Sequence, residues 1–214
     1  YLPKANAERA AARNYGAAHA TGAYLCFFDS DDLAYPNHLA TAAQLIQQHS
    51  QPAWAYCNAR TVSPQGAQVG SIPRLGPPMQ ALLAGNPFSI NGMFLRRDVA
   101  LAHPFNETRA LSASEDLELW MRLAARYPLA YTTEVTSDIV LHDARSVLTM
   151  QPEPLIQRKQ LMLDALQEDE AVMETFGPSW GQIQAHAWGY IALHCALAGH
   201  KAQARHWQIG RAHV

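Results

Sequence analysis

Residues 24–32 read YLCFFDSDD, so an apolar run from Tyr24 to Phe28 leads directly into the acidic stretch Asp29 to Asp32. An unbroken apolar run of this length is typical of a strand that is buried on both faces of a sheet. Open α/β sheets bind their ligands beyond the carboxyl ends of such strands. The acidic stretch therefore lies where an α/β protein would hold a ligand.

The sequence around this run alternates between helical and strand patterns. Good helix formers over residues 6–20 predict a helix that ends near Gly22, and Pro36 opens a second helix that continues to Gln48. A third helix is predicted over 115–126, with strands at 53–57, 92–96, 129–135 and 138–142 and a long Pro- and Gly-containing segment over 63–92. This order predicts an α/β fold with a mixed sheet flanked by helices.

The end of the chain has a different pattern. After Pro154 the sequence is helical, with helices predicted over 155–175 and 182–209. The 214 residues fit one domain or one domain with a helical appendage. We therefore divide the chain into an α/β core, residues 1–150, and a C-terminal helical extension, residues 151–214.

Composition excludes several classes of protein. The net charge is -2 and no Lys/Arg cluster stands out, which argues against a nucleic-acid partner. Three cysteines lie far apart without a CxxC spacing, which argues against a disulfide framework or a zinc site. A reducing, cytoplasmic setting is the default for such a chain.

The acidic stretch suggests a cation site. Three carboxylates in four residues repel one another, and a divalent cation offsets that repulsion. Hard oxygen ligands suit Mg²⁺ or Mn²⁺. The other interpretation is a turn followed by a helix cap, since Asp and Ser favour both. The residues by themselves leave both interpretations open.

Several elements with fixed spacing resemble family 2 glycosyltransferases, which have the Rossmann-like GT-A fold and the pattern "ARN.G…A.G.Y…LDSDD…P..L". The matching elements are Ala12–Gly16 (ARNYG), Ala20–Leu25 (ATGAYL), Phe28–Asp32 (FDSDD), Pro36 and Leu39. The resemblance covers roughly residues 5 to 150. It implies a metal-dependent transfer of a sugar, with inversion, from a nucleoside diphosphate-sugar to a hydroxyl of a saccharide or lipid-linked acceptor.

The resemblance also implies roles for individual residues. Asp29 would lie near the nucleotide ribose, and Asp31 would bind the metal on the donor diphosphate. Asp32 would support them. Arg13 and Asn14 would lie near the nucleotide, although a helix-surface charge and a helix-end residue are the plainer interpretations of these two.

A second pair of carboxylates begins the helix predicted at 115–126. The run Ser114–Leu123 (SEDLELWMRL) resembles the family's "EDxELWxRL" element, which implies that Asp116 is the catalytic base, with Glu115 as a second catalytic candidate. A base must take a proton from the acceptor hydroxyl. The alternative is a helix start, because Ser112 and Glu115 have capping-box spacing.

A third element follows the strand-like residues 139–141. His142, with Ser146 four residues later, resembles a degraded form of the family's "YRxHxxS" segment, whose His can complete the metal site. Other residues occupy the positions of the usual Tyr-Arg. The resemblance implies that His142 is a metal ligand, and a surface histidine is the alternative. In relatives, the strand that corresponds to residues 91–96 lines the acceptor side.

Two other functions share part of this pattern. A haloacid-dehalogenase-like phosphatase also places Asp after an apolar strand, but Leu33 occupies the position of its Thr. The second function is that of a truncated, inactive binding module, because Tyr1 comes after the point where the family's first strand–helix–strand segment would end. We therefore expect weak nucleotide binding by this chain.

The C-terminal helices could pack on the core, mediate oligomers or touch a membrane surface. We expect a cytoplasmic location, or one at the periphery of the inner membrane, in a bacterium that builds an envelope polysaccharide.

Overall fold

The computed structural model describes residue 3 and residues 5–70, 78–141 and 151–211, with the side chains of 78, 79 and 209–211 left out. The strands are β1 Tyr24–Cys26, β2 Leu33–Ala34, β3 Trp54–Val62, β4 Met93–Arg96 and β5 Leu129–Val140. The helices are α1 Glu8–His19, α2 His38–Gln48, α3 Pro78–Leu83, α4 Arg97–Ala102, α5 Glu115–Ala124, α6 Pro152–Gln167, α7 Glu170–Phe176, α8 Trp180–Leu197 and α9 Lys201–Arg211.

One mixed sheet holds all five of these strands, in the order β1-β4-β3-β5-β2. Only β3 and β5 run parallel, and the other three pairs are antiparallel. The prediction of a mixed sheet flanked by helices and followed by a helical segment is confirmed. Since β1 and β2 are the two edge strands of the sheet, the acidic stretch between them connects one edge to the other.

Three strand predictions need correction. β1 ends at Cys26 rather than Phe28, and β3 continues to Val62, five residues beyond its predicted end. The two strands predicted over 129–142 form the single strand β5. Its long pairing with β3 shifts register on both sides of Asn58, and such an irregularity bends strands without ending them.

The helices also depart from the predictions in detail. α2 begins at His38, two residues after Pro36. The segment predicted as a loop over 63–92 contains the short helix α3 and a 3₁₀ turn, Ile90–Gly92, while residues 71–77 lie outside the described part. After residue 151 the structure has four helices, α6 to α9, because Asp169 caps α7 and Gly199, with φ of 83°, separates α8 from α9.

One hydrophobic core joins the sheet to the C-terminal helices. Trp120 of α5 stacks on Trp54 of β3 with ring centroids 6.1 Å apart. Leu163 and Leu166 of α6 and Ile183 of α8 belong to the same buried cluster. Helix α6 therefore packs against the core that holds α5, and the division at residue 150 stays a prediction.

Close backbone approach explains one glycine. A Cβ at Gly92 would lie 2.0 Å from the carbonyl oxygen of Cys57 and 2.7 Å from the ring of Tyr56. Only glycine lets β3 and the turn before β4 come this close. Among the described residues, no helix combines the length and apolarity that a membrane crossing requires.

Candidate active site

The acidic loop, residues 29–32, connects β1 to β2. One carboxylate oxygen from each of Asp29, Asp31 and Asp32 lies within 4.8 Å of the others. Asp31 is exposed, Asp29 is partly exposed and Asp32 is buried. The three residues that the sequence placed at a cation site are therefore close together, and they differ in access to solvent.

Asp32 anchors this loop to the sheet. Its Oδ2 accepts a hydrogen bond of 2.6 Å from the side-chain amide of Asn91, and its Oδ1 accepts one of 2.8 Å from the backbone N–H of Val140. The side-chain oxygen of Asn91 in turn accepts from the backbone N–H of Asp29 at 2.9 Å. Asn91 is fully buried, so it fixes both ends of the loop from below.

Arg13 of α1 connects the loop to the second pair of carboxylates. Its Nη2 lies 3.1 Å from Oδ1 of Asp29, and its Nη1 lies 2.9 Å from Oε1 of Glu115. The guanidinium also packs on Phe105, with 5.5 Å between Cζ and the ring centroid. The two acidic elements that the sequence separates by some eighty residues therefore form one site.

Glu115 is buried at the start of α5, with 2% of its surface exposed. Its Oε2 has no hydrogen-bond partner among the described residues. Burial raises the pKa of Glu115, and the neighbouring charge of Asp116 adds to the increase, while Arg13 opposes it. The capping-box alternative requires Ser112 as the N-cap, but the N-cap of α5 is Ser114, which makes no side-chain cap bond, and Glu115 bonds Arg13 instead.

Asp116 is more accessible than Glu115. The side-chain amide of Asn86 donates to its Oδ2 at 2.9 Å, and the backbone N–H of Leu117 donates to its Oδ1 at 2.8 Å. Both contacts fix the plane of the carboxylate while leaving lone pairs on each oxygen. Asn86 was missed in the sequence, because nothing in its local pattern indicates a partner thirty residues away.

Two predicted residues have other positions. The amide of Asn14 is engaged with the backbone of Phe105, donating to its carbonyl and accepting from its N–H, each at 2.9 Å, and it also contacts Glu107. This bond joins α1 to the segment before α5, and a role at the nucleotide stays a prediction. His142 lies outside the described residues, so its role as a metal ligand also stays a prediction.

A cavity of about 640 Å³ adjoins the site. It runs between α1 and β1 and reaches the acidic loop, because Arg13 and Asp29 line it. Its other lining residues are Arg9, Ala12, Gly16, Ala17, Ala20, Gly22 and residues 24–28. The volume lies within the ordinary range for pockets that bind small organic ligands.

The fold and the site together define an α/β protein with an acidic loop beside a helix-borne carboxylate pair. Residues 1–103 match the family model described as glycosyl transferase family 2. Over these residues, which make up slightly less than half of the chain, the match bears out the resemblance found in the sequence. A comparison with curated proteins gives no significant match.

Crystal structures of S. aureus TarS have a similar fold. The structure of TarS 1–349 has a TM-score of 0.55 at 14% identity, over 95% of this chain and 71% of that one. The same segment in complex with UDP gives 0.50 at 15% identity, over 93% and 67% of the two chains. A further TarS structure gives 0.54 at 15% identity, with 93% of this chain and 40% of that chain covered. The likeness confirms the partial GT-A-like fold.

Proposed function

We propose that this protein transfers a sugar from a nucleoside diphosphate-sugar to an acceptor hydroxyl, with inversion and with the help of a divalent metal. The carrying observation is the position of Arg13, whose guanidinium contacts both Asp29 and Glu115. The acidic loop and the carboxylate pair are thus held at one site. The family match supports sugar transfer in general, and the TarS structure in complex with UDP supports a nucleotide-linked donor.

On the donor side, Asp31 and Asp29 are the residues that would hold Mg²⁺ or Mn²⁺. The fit is chemical, because carboxylate oxygens are the hard ligands that these ions prefer. Asp32 is buried, and its two oxygens hold the loop to Asn91 and Val140, so we give it the supporting role. When bound, the ion would supply positive charge that stabilises the departing diphosphate.

On the acceptor side, we assign the base to Asp116. Its carboxylate would take the proton of the acceptor hydroxyl as that oxygen forms a bond to the anomeric carbon. The bond from this carbon to the diphosphate oxygen breaks, and its electron pair leaves with the nucleoside diphosphate. Asn86 orients the carboxylate through its hydrogen bond to Oδ2.

Glu115 is better suited to hold Arg13 than to accept a proton from a substrate. It is buried, whereas Asp116 is partly exposed, and its Oε1 is bonded to Arg13. Arg13 in turn keeps a positive charge beside the acidic loop, where it would face the donor phosphates. We therefore propose a positioning role for Glu115 and a binding role for Arg13.

The acceptor and the location belong to the same proposal. A saccharide or a lipid-linked saccharide, as used in building a bacterial envelope polysaccharide, is the proposed acceptor. A cytoplasmic protein that meets the inner membrane at its periphery would have access to both kinds of acceptor.

The test is a panel of nucleoside diphosphate-sugars at millimolar concentration, with and without Mn²⁺, in which release of the nucleoside diphosphate is measured. We expect at least one donor to be consumed in a metal-dependent manner, and Asp31→Ala to abolish this. Asp164→Ala, an exposed change on α6, is the control. Tight metal-dependent binding of a donor without any release would favour the binding module, and release of phosphate from a generic phosphomonoester that is lost with Asp29→Asn would favour the phosphatase.

A further inference from the structure

The turn that leads into α5 has a strained backbone. Ala113 has φ of 71°, a left-handed conformation that residues other than glycine adopt only rarely. It lies two residues before Glu115 and three before Asp116. A strained residue of this kind persists only where the surrounding structure holds it, and such residues are common at functional sites.

Two consecutive cations of α6 donate hydrogen bonds to the residues before and after Ala113. Nη1 of Arg158 donates to the carbonyl oxygen of Ser112 at 3.3 Å. Nζ of Lys159 donates to Oγ of Ser114 at 3.4 Å. Because Ser112 and Ser114 flank Ala113, the two side chains of α6 hold the residues on either side of the strained one.

The surroundings of this pair are enclosed. Arg158 is 2% exposed, and Nζ of Lys159 lies 4.9 Å from the ring centroid of Tyr190 on α8. The charged or titratable groups that face the pair are Arg9 of α1, Glu115 and Asp116 of α5, and Tyr190 and His194 of α8. The only acids in this set are the two carboxylates that begin α5.

We propose that Arg158 and Lys159 are positioning residues, which hold the 112–114 turn and through it the orientation of Asp116. This inference rests on the proposed function, in which Asp116 takes the proton of the acceptor. It makes α6 a part of the active site, although the sequence places α6 in a separate C-terminal extension. Neither cation needs to touch a substrate for this role.

The charge of Lys159 offers a way to distinguish a positioning role from simple packing. Burial lowers its pKa to about 8, the charge of Arg158 adds to this, and Asp116 opposes it. Since the folded-state pKa lies below that of the unfolded chain, the protonated side chain destabilises the fold at pH values below 8. This destabilisation is relieved as the pH rises from 8 towards the unfolded pKa. Lys159→Met, which keeps the length without the charge, should therefore melt at the wild-type temperature or above it at pH 7.

The experiment compares wild type, Lys159→Met, Lys159→Arg and the control Lys201→Met, whose side chain is exposed on α9. The first readout is the backbone amide NMR shifts of residues 114–117 between pH 7 and pH 10, which requires no substrate. We expect these amides to titrate with a midpoint near pH 8 in wild type and in Lys201→Met, and to lose this titration in both Lys159 variants.

The second readout is turnover of whichever donor the panel identifies. We expect Lys159→Met to lower kcat about 10- to 100-fold with little change in the donor KM, because misplaced catalytic groups slow the chemical step. In wild type the rate should fall above pH 8, as Lys159 loses its charge. Lys159→Arg should recover part of the rate lost in Lys159→Met and should not show this fall, since arginine stays charged.

Either of two results would overturn the proposal: wild-type amides 114–117 that show no titration between pH 7 and pH 10, or a Lys159→Met kcat equal to that of wild type. The amide readout in wild type decides the point even if Lys159→Met does not fold. A wild-type chain that turns over no donor would contradict the proposed function instead, and the amide readout would still decide whether α6 holds the turn.

Discussion

Arg13 and Glu115, which lie 102 residues apart, are joined by a hydrogen bond of 2.9 Å between Nη1 and Oε1. The same guanidinium lies 3.1 Å from Asp29. A single side chain of α1 therefore holds the acidic loop and the start of α5 in one arrangement. Because both partners are nearly buried, the pair should matter for stability as well as for function.

Arg13→Ala should destabilise the fold by about 3 kcal/mol, because it leaves the buried carboxylate of Glu115 without its cation. Urea unfolding measures this change. Adding Glu115→Gln should recover part of the loss, since the uncompensated charge is then removed. The control is Arg109→Ala, which removes an exposed ion pair with Glu8 and should change stability by less than about 1 kcal/mol. Strictly additive effects of the two changes would show that the pair is not coupled.

Glu115→Gln alone should reveal the raised pKa of Glu115. A raised folded-state pKa means that the stability linked to this group is full below its unfolded pKa and is lost as the pH rises through its folded pKa. Ionised Glu115 is therefore unfavourable at neutral pH, and the glutamine variant should melt at or above the wild-type temperature at pH 7. The difference should shrink as the pH falls, which melting curves between pH 7 and pH 4 would show. A difference that grows on acidification would contradict this assignment.

Asp32 and Asp31 should behave oppositely despite being neighbours. Asp32→Ala leaves the amide of Asn91 and the N–H of Val140 without their acceptor, at a penalty of about 1–3 kcal/mol for each unsatisfied group. Asp31→Ala, at an exposed position, should change the unfolding free energy by about 0.5 kcal/mol or less. Urea unfolding of both variants decides this, and equal losses would mean that Asp32 does not anchor the loop.

Gly92→Ala should be among the most damaging small substitutions. The new Cβ would overlap the backbone carbonyl of Cys57, and backbone cannot yield as a side-chain tip does. We expect a loss of about 3 kcal/mol or a failure to fold. Gly16→Ala is the matched control, because a Cβ there has open space and alanine favours a helix. Thermal unfolding should show a lower melting temperature for the first variant only.

The sequence predicted the parts of the site that depend on local pattern. The apolar run up to Phe28 placed Asp29 to Asp32 after a strand, and the helical spacing after residue 115 placed Glu115 and Asp116 at the start of α5. Both signals are short-range, since the side chains concerned lie on one element and its end. The resemblance to the family then supplied the roles.

Contacts between distant residues were not predictable in this way. Nothing near Arg13 indicates that it reaches α5, and the role of Asn91 under the loop depends on the pairing of β4 with β1 and β3. β3 extends through residues 58–61, three of which are polar, because β5 pairs with them, and a single-strand pattern cannot show this pairing. The contacts of α6 with the turn around Ala113 likewise depend on how the core packs.

The central claim is that Asp116 acts as the base of a sugar transfer at the site that Arg13 assembles. The most direct measurement is the metal-dependent turnover of a donor by Asp116→Asn, alongside donor binding by the same variant and turnover by the exposed control Asp164→Asn. We expect Asp116→Asn to bind the donor as wild type does and to lose nearly all turnover, while the control is unaffected. Turnover by Asp116→Asn at a near-normal rate would contradict it.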